Sequence, residues 1–183
     1  MDILYDFKKC CFSGYGPSKM PFKFDDNDID FQIFEKRLYT TVEALLQDDC
    51  RIFYCGMAMG FDILAAKVVL YFKKRYNDIK LICAIPFEEQ EMSFPQEWKE
   101  KYYCILQNCD EVIVLSKQYH NGCYQNRNKY MVDNSDYVVT WYDGKAGGTR
   151  NTLKYAEKKS RYIININTNY LDEFNNKQMG FEF

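Results

Sequence analysis

Six short runs of β-branched, aromatic and aliphatic residues, Lys9–Ser13, Arg51–Cys55, Lys80–Ile85, Glu111–Leu115, Tyr137–Trp141 and Tyr162–Ile166, alternate with segments of helical period. This alternation constrains the fold more than any other feature. Near-continuous apolarity over such short runs suits strands buried on both faces. Between them Phe31, Phe34, Leu38, Val42 and Leu45 recur every three or four residues, as do Leu64, Val68 and Tyr71 or Phe72, the spacing of a helix with one apolar face. Trp98, Tyr102, Ile105 and Leu106 mark a third helix, with Pro95 where a first turn tolerates proline. Gln125–Asp133 and Thr149–Lys159, the latter with Leu153 and Ala156 on one side, supply two more. Strand, helix and strand in succession require right-handed crossovers and parallel pairing. The expected fold is α/β, a Rossmann-like three-layer sandwich with a mostly parallel sheet of about six strands. No Pro/Ser-rich linker and no internal repeat divides residues 1–183, which read as a single domain.

Parallel sheets bind ligands at the carboxyl ends of their strands, near the switch in strand order, so function is sought in the turns that follow strands. After the first run come Ser13, Gly14, Tyr15, Gly16 and Pro17. Two glycines permit a tight turn and close approach of a ligand, Ser13 offers a hydroxyl, and Tyr15 a ring for a base or ribose. The second run leads into Gly56-Met57-Ala58-Met59-Gly60-Phe61-Asp62. Glycines at a strand-to-helix junction expose N–H groups at the positive end of a helix dipole, where phosphate binds. Asp62 either stabilises that helix start or accepts ribose hydroxyls. The third run ends in Pro86-Phe87-Glu88-Glu89-Gln90-Glu91, in which Glu91 is the candidate for polar contact or proton transfer. After the fifth run, Asp143 precedes Gly147-Gly148-Thr149-Arg150-Asn151-Thr152, the clearest anion cradle in the chain. Upstream, Arg127 and Asn128 lie in the fourth helix, where Arg127 could pair with phosphate or serve as a structural ion pair.

Composition narrows the function classes. Lys plus Arg number 24 against 26 Asp plus Glu, a net charge of −2 with no basic tail, which argues against nucleic acid as the main partner. No apolar run reaches the roughly 20 residues that span a bilayer, and the start carries no cationic n-region. A cytoplasmic protein with no membrane association is expected. The 8 cysteines include no C-x-x-C pair and are accompanied by 1 His, so they read as reduced thiols. Cys10, Cys11, Cys55, Cys83 and Cys104 sit in or beside apolar stretches, as small hydrophobes do. Cys109, His120 and Cys123 would give zinc only three ligands at irregular spacing, and no metal or cofactor is expected.

Several motifs together resemble the YpsA-like family of the SLOG superfamily: Gly56-Met57-Ala58-Met59-Gly60-Phe61-Asp62 with Ala65-Ala66, Pro86-Phe87 with Gln90-Glu91, and Arg127 through Asp136 followed by Gly147-Gly148-Thr149. They occur in family order across nearly the whole chain. The resemblance implies a Rossmann-like fold that binds nucleotides or nucleotide-derived ligands, in a group that includes LOG-type phosphoribohydrolases, DprA-like DNA-processing proteins and ligand-sensing domains. Two departures matter. Relatives commonly read Thr-Gly-His-Arg-Pro where this chain has Ser13-Gly14-Tyr15-Gly16-Pro17, so a cationic contact is lost. LOG-type enzymes follow their glycine loop with a glutamate, whereas Thr152-Leu153-Lys154-Tyr155 holds no carboxylate. Binding without turnover is therefore the leading expectation: a sensor or sequestering protein for a phosphorylated nucleoside, ADP-ribose-like or cyclic, with no catalytic residue. One alternative is an N-glycosidase using Glu91 as acid or base and Arg127 to orient phosphate. Another is a protein-interaction adaptor. Homo-oligomers are common among the relatives the chain resembles, and Tyr39, Tyr71, Phe72, Tyr76 and Tyr103 are helix aromatics that could enrich an interface.

Overall fold

The computed structural model describes residues 6–167. In chain order it builds β1 (Lys8–Ser13), α1 (Ile29–Gln47), β2 (Cys50–Cys55), α2 (Phe61–Lys73), β3 (Lys80–Ile85), α3 (Gln96–Leu106), β4 (Glu111–Val114), α4 (Cys123–Asp133), β5 (Tyr137–Thr140), α5 (Gly148–Lys158) and β6 (Tyr162–Asn165). Short 3-10 turns at Pro17–Lys19 and Gln90–Ser93 interrupt two of the connections. The strands lie in the order β4-β3-β2-β1-β5-β6, and every neighbouring pair is parallel. The α/β, three-layer expectation holds.

Side chains of successive strand residues point to opposite faces, and here the two faces feed two cores. Cys10, Phe12, Phe53, Leu81, Cys83 and Val139 pack with the apolar stripes of α1, α2 and α3. Cys11, Tyr54, Ile82, Val138 and Ile163 meet Met131 and Val132 of α4 and Leu153 and Ala156 of α5. The first core is strongly aromatic: Phe12 stacks on Phe53 at 6.1 Å, and Phe34 meets Phe61 edge-on at 5.9 Å. Much of the chain's aromatic excess is thus spent inside its own helix-to-sheet layer. Phe72 is buried, Tyr39 packs half-buried on Tyr71, and Tyr76 follows the end of α2; Tyr71 and Tyr103 remain exposed.

Local signals account for the helix limits. Asp28 caps α1 by accepting from the backbone N–H groups of Asp30 and Phe31. The fourth helix begins at Cys123, ahead of the expected Gln125, because Gly122 turns the chain with φ 87°. Strands β4, β5 and β6 each stop one residue short of expectation. Cys104 departs from its expected environment: it faces solvent on the outer side of α3, whereas Cys50 and Cys123 are buried with Cys10, Cys11, Cys55 and Cys83. Burial pushes the Cys11 and Cys50 thiols up to about 12. Among the described residues no group of three or more His, Cys, Asp or Glu could hold a metal ion, and no helix is long and apolar enough to cross a membrane.

Phe53 is fully buried and stacked on Phe12. Replacing it with Ala is expected to cost about 3–5 kcal/mol, read from the midpoint of a urea titration.

Candidate functional site

The central strand β1 has β2 on one side and β5 on the other, so the connections leaving β1 and β5 diverge and open a crevice at the carboxyl edge. The exits of β1, β2 and β5 and the start of α4 are joined there by hydrogen bonds.

Asp62, in the first turn of α2, and Arg127, in α4, flank Gly56. A Cβ at Gly56 would collide with the Arg127 guanidinium and lie 2.8 Å from Asp62 Oδ2. Arg127 Nη1 donates to the Gly56 carbonyl, and its Nε donates to Asn128 Oδ1 at 2.7 Å. Gln90 Nε2 donates to the Met57 carbonyl at 3.0 Å and reaches Gly56 O at 3.4 Å. The loop is therefore held from α4 and from the β3 exit together, and Met57 sits within it at φ 58°, a backbone conformation retained only where surroundings enforce it. Burial raises the Asp62 carboxyl to about 6, opposed by the Arg127 charge and by hydrogen bonds from the Ala58 and Gly14 backbone. Arg127, a candidate phosphate ligand, is itself buried and engaged with these internal partners.

The β5–α5 connection is built differently. Helix α5 starts at Gly148 after Gly147, with no side-chain cap, so no side chain of its N-cap occupies its first N–H groups at the positive end of the dipole. Thr149 Oγ1 donates to the Gly14 carbonyl at 3.2 Å, tying this start to the β1 exit. Thr152 Oγ1 donates to the Gly148 carbonyl at 3.0 Å and accepts from Asn128 Nδ2 at 2.8 Å. A Cβ at Gly148 would meet nothing within 4 Å, whereas one at Gly147 would lie 2.9 Å from Lys19 Nζ. Lys19 was not singled out in the sequence. It follows Pro17 in a 3-10 turn, and the turn brings its ammonium to the glycine pair, supplying a cation that Tyr15 and Gly16 do not. Thr140, the last residue of β5, is fully buried and its hydroxyl has no hydrogen-bond partner among the described residues. Asn151 is exposed on the first turn of α5.

The remaining candidates are placed as follows. Tyr15 is buried with its ring edge-on to Trp141 at 5.5 Å, and its hydroxyl donates to Asp143 Oδ1 at 2.8 Å. Its ring is packed into the protein, and it braces Asp143, which also pairs with Lys145 at 2.6 Å. Ser13 is buried beneath the loop. Gly14 is glycine because a Cβ would strike the Phe61 ring at 2.3–2.6 Å, and Gly60 because its φ is 89° with Tyr15 O close by. Pro86 is buried and Phe87 half-buried, while the acidic run divides: Glu88 and Glu89 are exposed, Gln90 and Glu91 buried. Glu91 accepts from the Tyr103 hydroxyl of α3 at 2.7 Å.

Because folding raises the Asp62 carboxyl from 3.8 to about 6, the native state keeps a proton that the unfolded chain has released between those values. Its contribution therefore lowers stability as pH rises across that window, by up to ~3 kcal/mol. A ¹³C carboxyl titration should place Asp62 near pH 6, and Arg127→Met should move it higher; a midpoint below 4 contradicts the arrangement.

A family model described as the YspA SLOG family matches residues 10–173. The SPbeta prophage-derived protein YoqJ of Bacillus subtilis (strain 168) is 32% identical over 144 residues, covering 72% of this chain and 84% of the relative. A UPF0398 protein of Bacillus thuringiensis (strain Al Hakam) is 25% identical over 166 residues, 90% of each chain. Among solved structures, DNA processing protein A (DprA) from Streptococcus pneumoniae aligns with TM-score 0.58 and 18% identity over 96% of this chain. DNA processing protein A from Helicobacter pylori, described with a single-stranded DNA binding mode, aligns with TM-score 0.57 and 17% identity over 85% of this chain. The chain spans 58% and 63% of those two proteins, respectively. The H. pylori structure corrects the expectation drawn from net charge. A protein of this fold has a single-stranded DNA binding mode, and a net charge of −2 does not argue against nucleic acid, because a single strand is held by local cations and stacking rings. By the family match over residues 10–173 and the 32% identical relative, the chain belongs to the YpsA family of the SLOG superfamily.

Proposed function

We propose that this chain is a cytoplasmic sensor or sequestering protein, acting as one ligand-binding domain for a phosphorylated nucleoside or nucleotide-derived small molecule of the ADP-ribose or cyclic-nucleotide kind. The observation that carries the reading is the start of α5, where Gly148 is neither strained nor crowded, no side chain caps the helix, and the Lys19 ammonium lies at Gly147. Nothing within 4 Å requires a glycine at Gly148. Close approach of an anion to the exposed N–H groups explains it. Phosphate would lie on Gly147, Gly148 and Thr149 with Lys19 beside it. Asp62 and the Gly56–Gly60 loop form the neighbouring wall of the crevice.

The N-glycosidase reading draws less support, since Glu91 is engaged by Tyr103 and Arg127 by Gly56 and Asn128. Release of free base from nucleoside monophosphates, abolished by Glu91→Gln, would restore it. The adaptor reading predicts a protein partner whose capture survives Gly148→Asp. Self-association through exposed Tyr71 and Tyr103 belongs to the proposal as well; light scattering that finds only a 21.9 kDa species at micromolar concentration removes that part.

The decisive variant is Gly148→Asp. A side chain there meets open space, and an acidic residue in the first turn favours the helix, so the melting temperature should hold or rise. Thermal-shift and calorimetric titrations with nucleoside phosphates, cyclic dinucleotides and ADP-ribose derivatives should find a binder for the wild type. The variant should lose it at least 10-fold, and Lys19→Ala should weaken it severalfold. No binder across the panel, or full binding by Gly148→Asp, overturns the reading.

A further inference from the structure

Three aromatic side chains from three separate exits converge on the surface at the carboxyl edge. Phe87 leaves β3, Tyr119 lies in the connection from β4 to α4, and Tyr124 is in the first turn of α4. Phe87 meets Tyr119 at 5.5 Å and 82°, and Tyr124 at 5.7 Å and 81°. Tyr119 and Tyr124 are 6.4 Å apart at 58°. Edge-on contact seats Phe87 against both tyrosines, and the two tyrosines keep much of their surface in solvent: Tyr119 is 65% and Tyr124 44% exposed. The backbones beneath are fastened, with Glu88 N donating to Ser116 O at 3.1 Å and Leu115 N to Ile85 O at 2.9 Å. The Ser116 hydroxyl donates to Gln118 O at 2.8 Å. The cluster also adjoins the crevice, because the Arg127 guanidinium that donates to Gly56 lies 6.0 Å from the Tyr124 ring centroid.

We propose that Phe87, Tyr119 and Tyr124 form a stacking platform for a nucleobase, carried either by a free nucleotide or by single-stranded DNA. The proposal rests on the nucleotide-binding reading above and supplies the base contact that Tyr15, packed against Trp141 and bonded to Asp143, does not offer. A base has two π-faces and tolerates an aromatic partner whatever its hydrogen-bonding edge. Recognition here is therefore of a planar ring and broad among bases. Truncating one such partner commonly costs on the order of 10-fold in affinity.

The full chain is titrated calorimetrically with AMP, with ribose 5-phosphate, which lacks the base, with inorganic phosphate and with a short oligo-dT. Tyr119 is the most exposed of the three rings, so Tyr119→Ala leaves the fold intact. It should weaken AMP or oligo-dT about 10-fold while leaving ribose 5-phosphate and phosphate unchanged, and Tyr119→Phe should retain binding. Loss confined to AMP identifies a free nucleotide as the source of the base, and loss confined to oligo-dT identifies single-stranded DNA. Unchanged affinity for both, or an equal loss for ribose 5-phosphate, overturns the platform. A wild type that binds ribose 5-phosphate as well as AMP overturns the platform and spares the phosphate cradle, provided oligo-dT is insensitive to Tyr119→Ala. A wild type that binds none of the four overturns the platform, while the phosphate cradle stands or falls by the wider panel of cyclic dinucleotides and ADP-ribose derivatives.

Discussion

A carboxylate and a guanidinium withdrawn from water on either side of one glycine organise the carboxyl edge of this protein. Asp62 and Arg127 come from helices on opposite faces of the sheet, and they meet at Gly56 at the end of β2. A buried charge without compensation is costly, and each of these is held from several sides, Arg127 by the Gly56 carbonyl and Asn128 and Asp62 by the Ala58 and Gly14 backbone, with the two charges attracting across the glycine. The shape of the β2 exit, the left-handed Met57 and the placement of Gln90 follow from that requirement. So does the bond network from Arg127 through Asn128 and Thr152 to Gly148, which links the interior charges to the outward-facing start of α5.

Glycines at this edge fall into two kinds that a sequence does not distinguish. Gly14 and Gly56 lack side chains because Phe61 and Arg127 occupy the space, and Gly60 adds a left-handed backbone. These are conditions of packing. At Gly148 the space is open, so packing does not explain the missing side chain, and the proposed phosphate would. The phosphate-cradle reading of the two glycine loops therefore divides. The Gly56–Gly60 loop is chiefly an internal brace with an outer wall, and the Gly147–Thr149 loop is the one left available.

The layered architecture was legible because strand burial and helical period are local properties: Phe31, Phe34, Leu38, Val42 and Leu45 all turn inward as their spacing requires. Gly122 blurred the start of α4 because its left-handed conformation leaves no mark on apolar spacing. The site was legible as a set of exits and less so as a set of roles. Tyr15 reads as an accessible ring until Trp141 and Asp143, more than a hundred residues on, enclose it. Lys19 reads as one lysine among 18 until the turn after Pro17 delivers it to Gly147. Gln90 and Glu91 follow two exposed glutamates in an unbroken polar run, and only the 3-10 turn separates the buried pair from the solvated one. A Pro two residues before a lysine, beside a glycine-rich exit, was the one signal that could have pointed to Lys19.

The pairing of β1 with β5 has a kinetic consequence. The backbone N–H of Lys9 is satisfied by the carboxylate of Asp136, 127 residues further along the chain, and the ladder that follows joins Cys10 to Tyr137. Closing so long a loop is slow relative to local pairing. During synthesis the central strand stands with one bare hydrogen-bonding edge until β5, at Tyr137–Thr140, has emerged. Such an edge is a template for the wrong neighbour. The half-sheet β1 to β4, complete in topology before β5 exists, is the species that chaperones would have to shield.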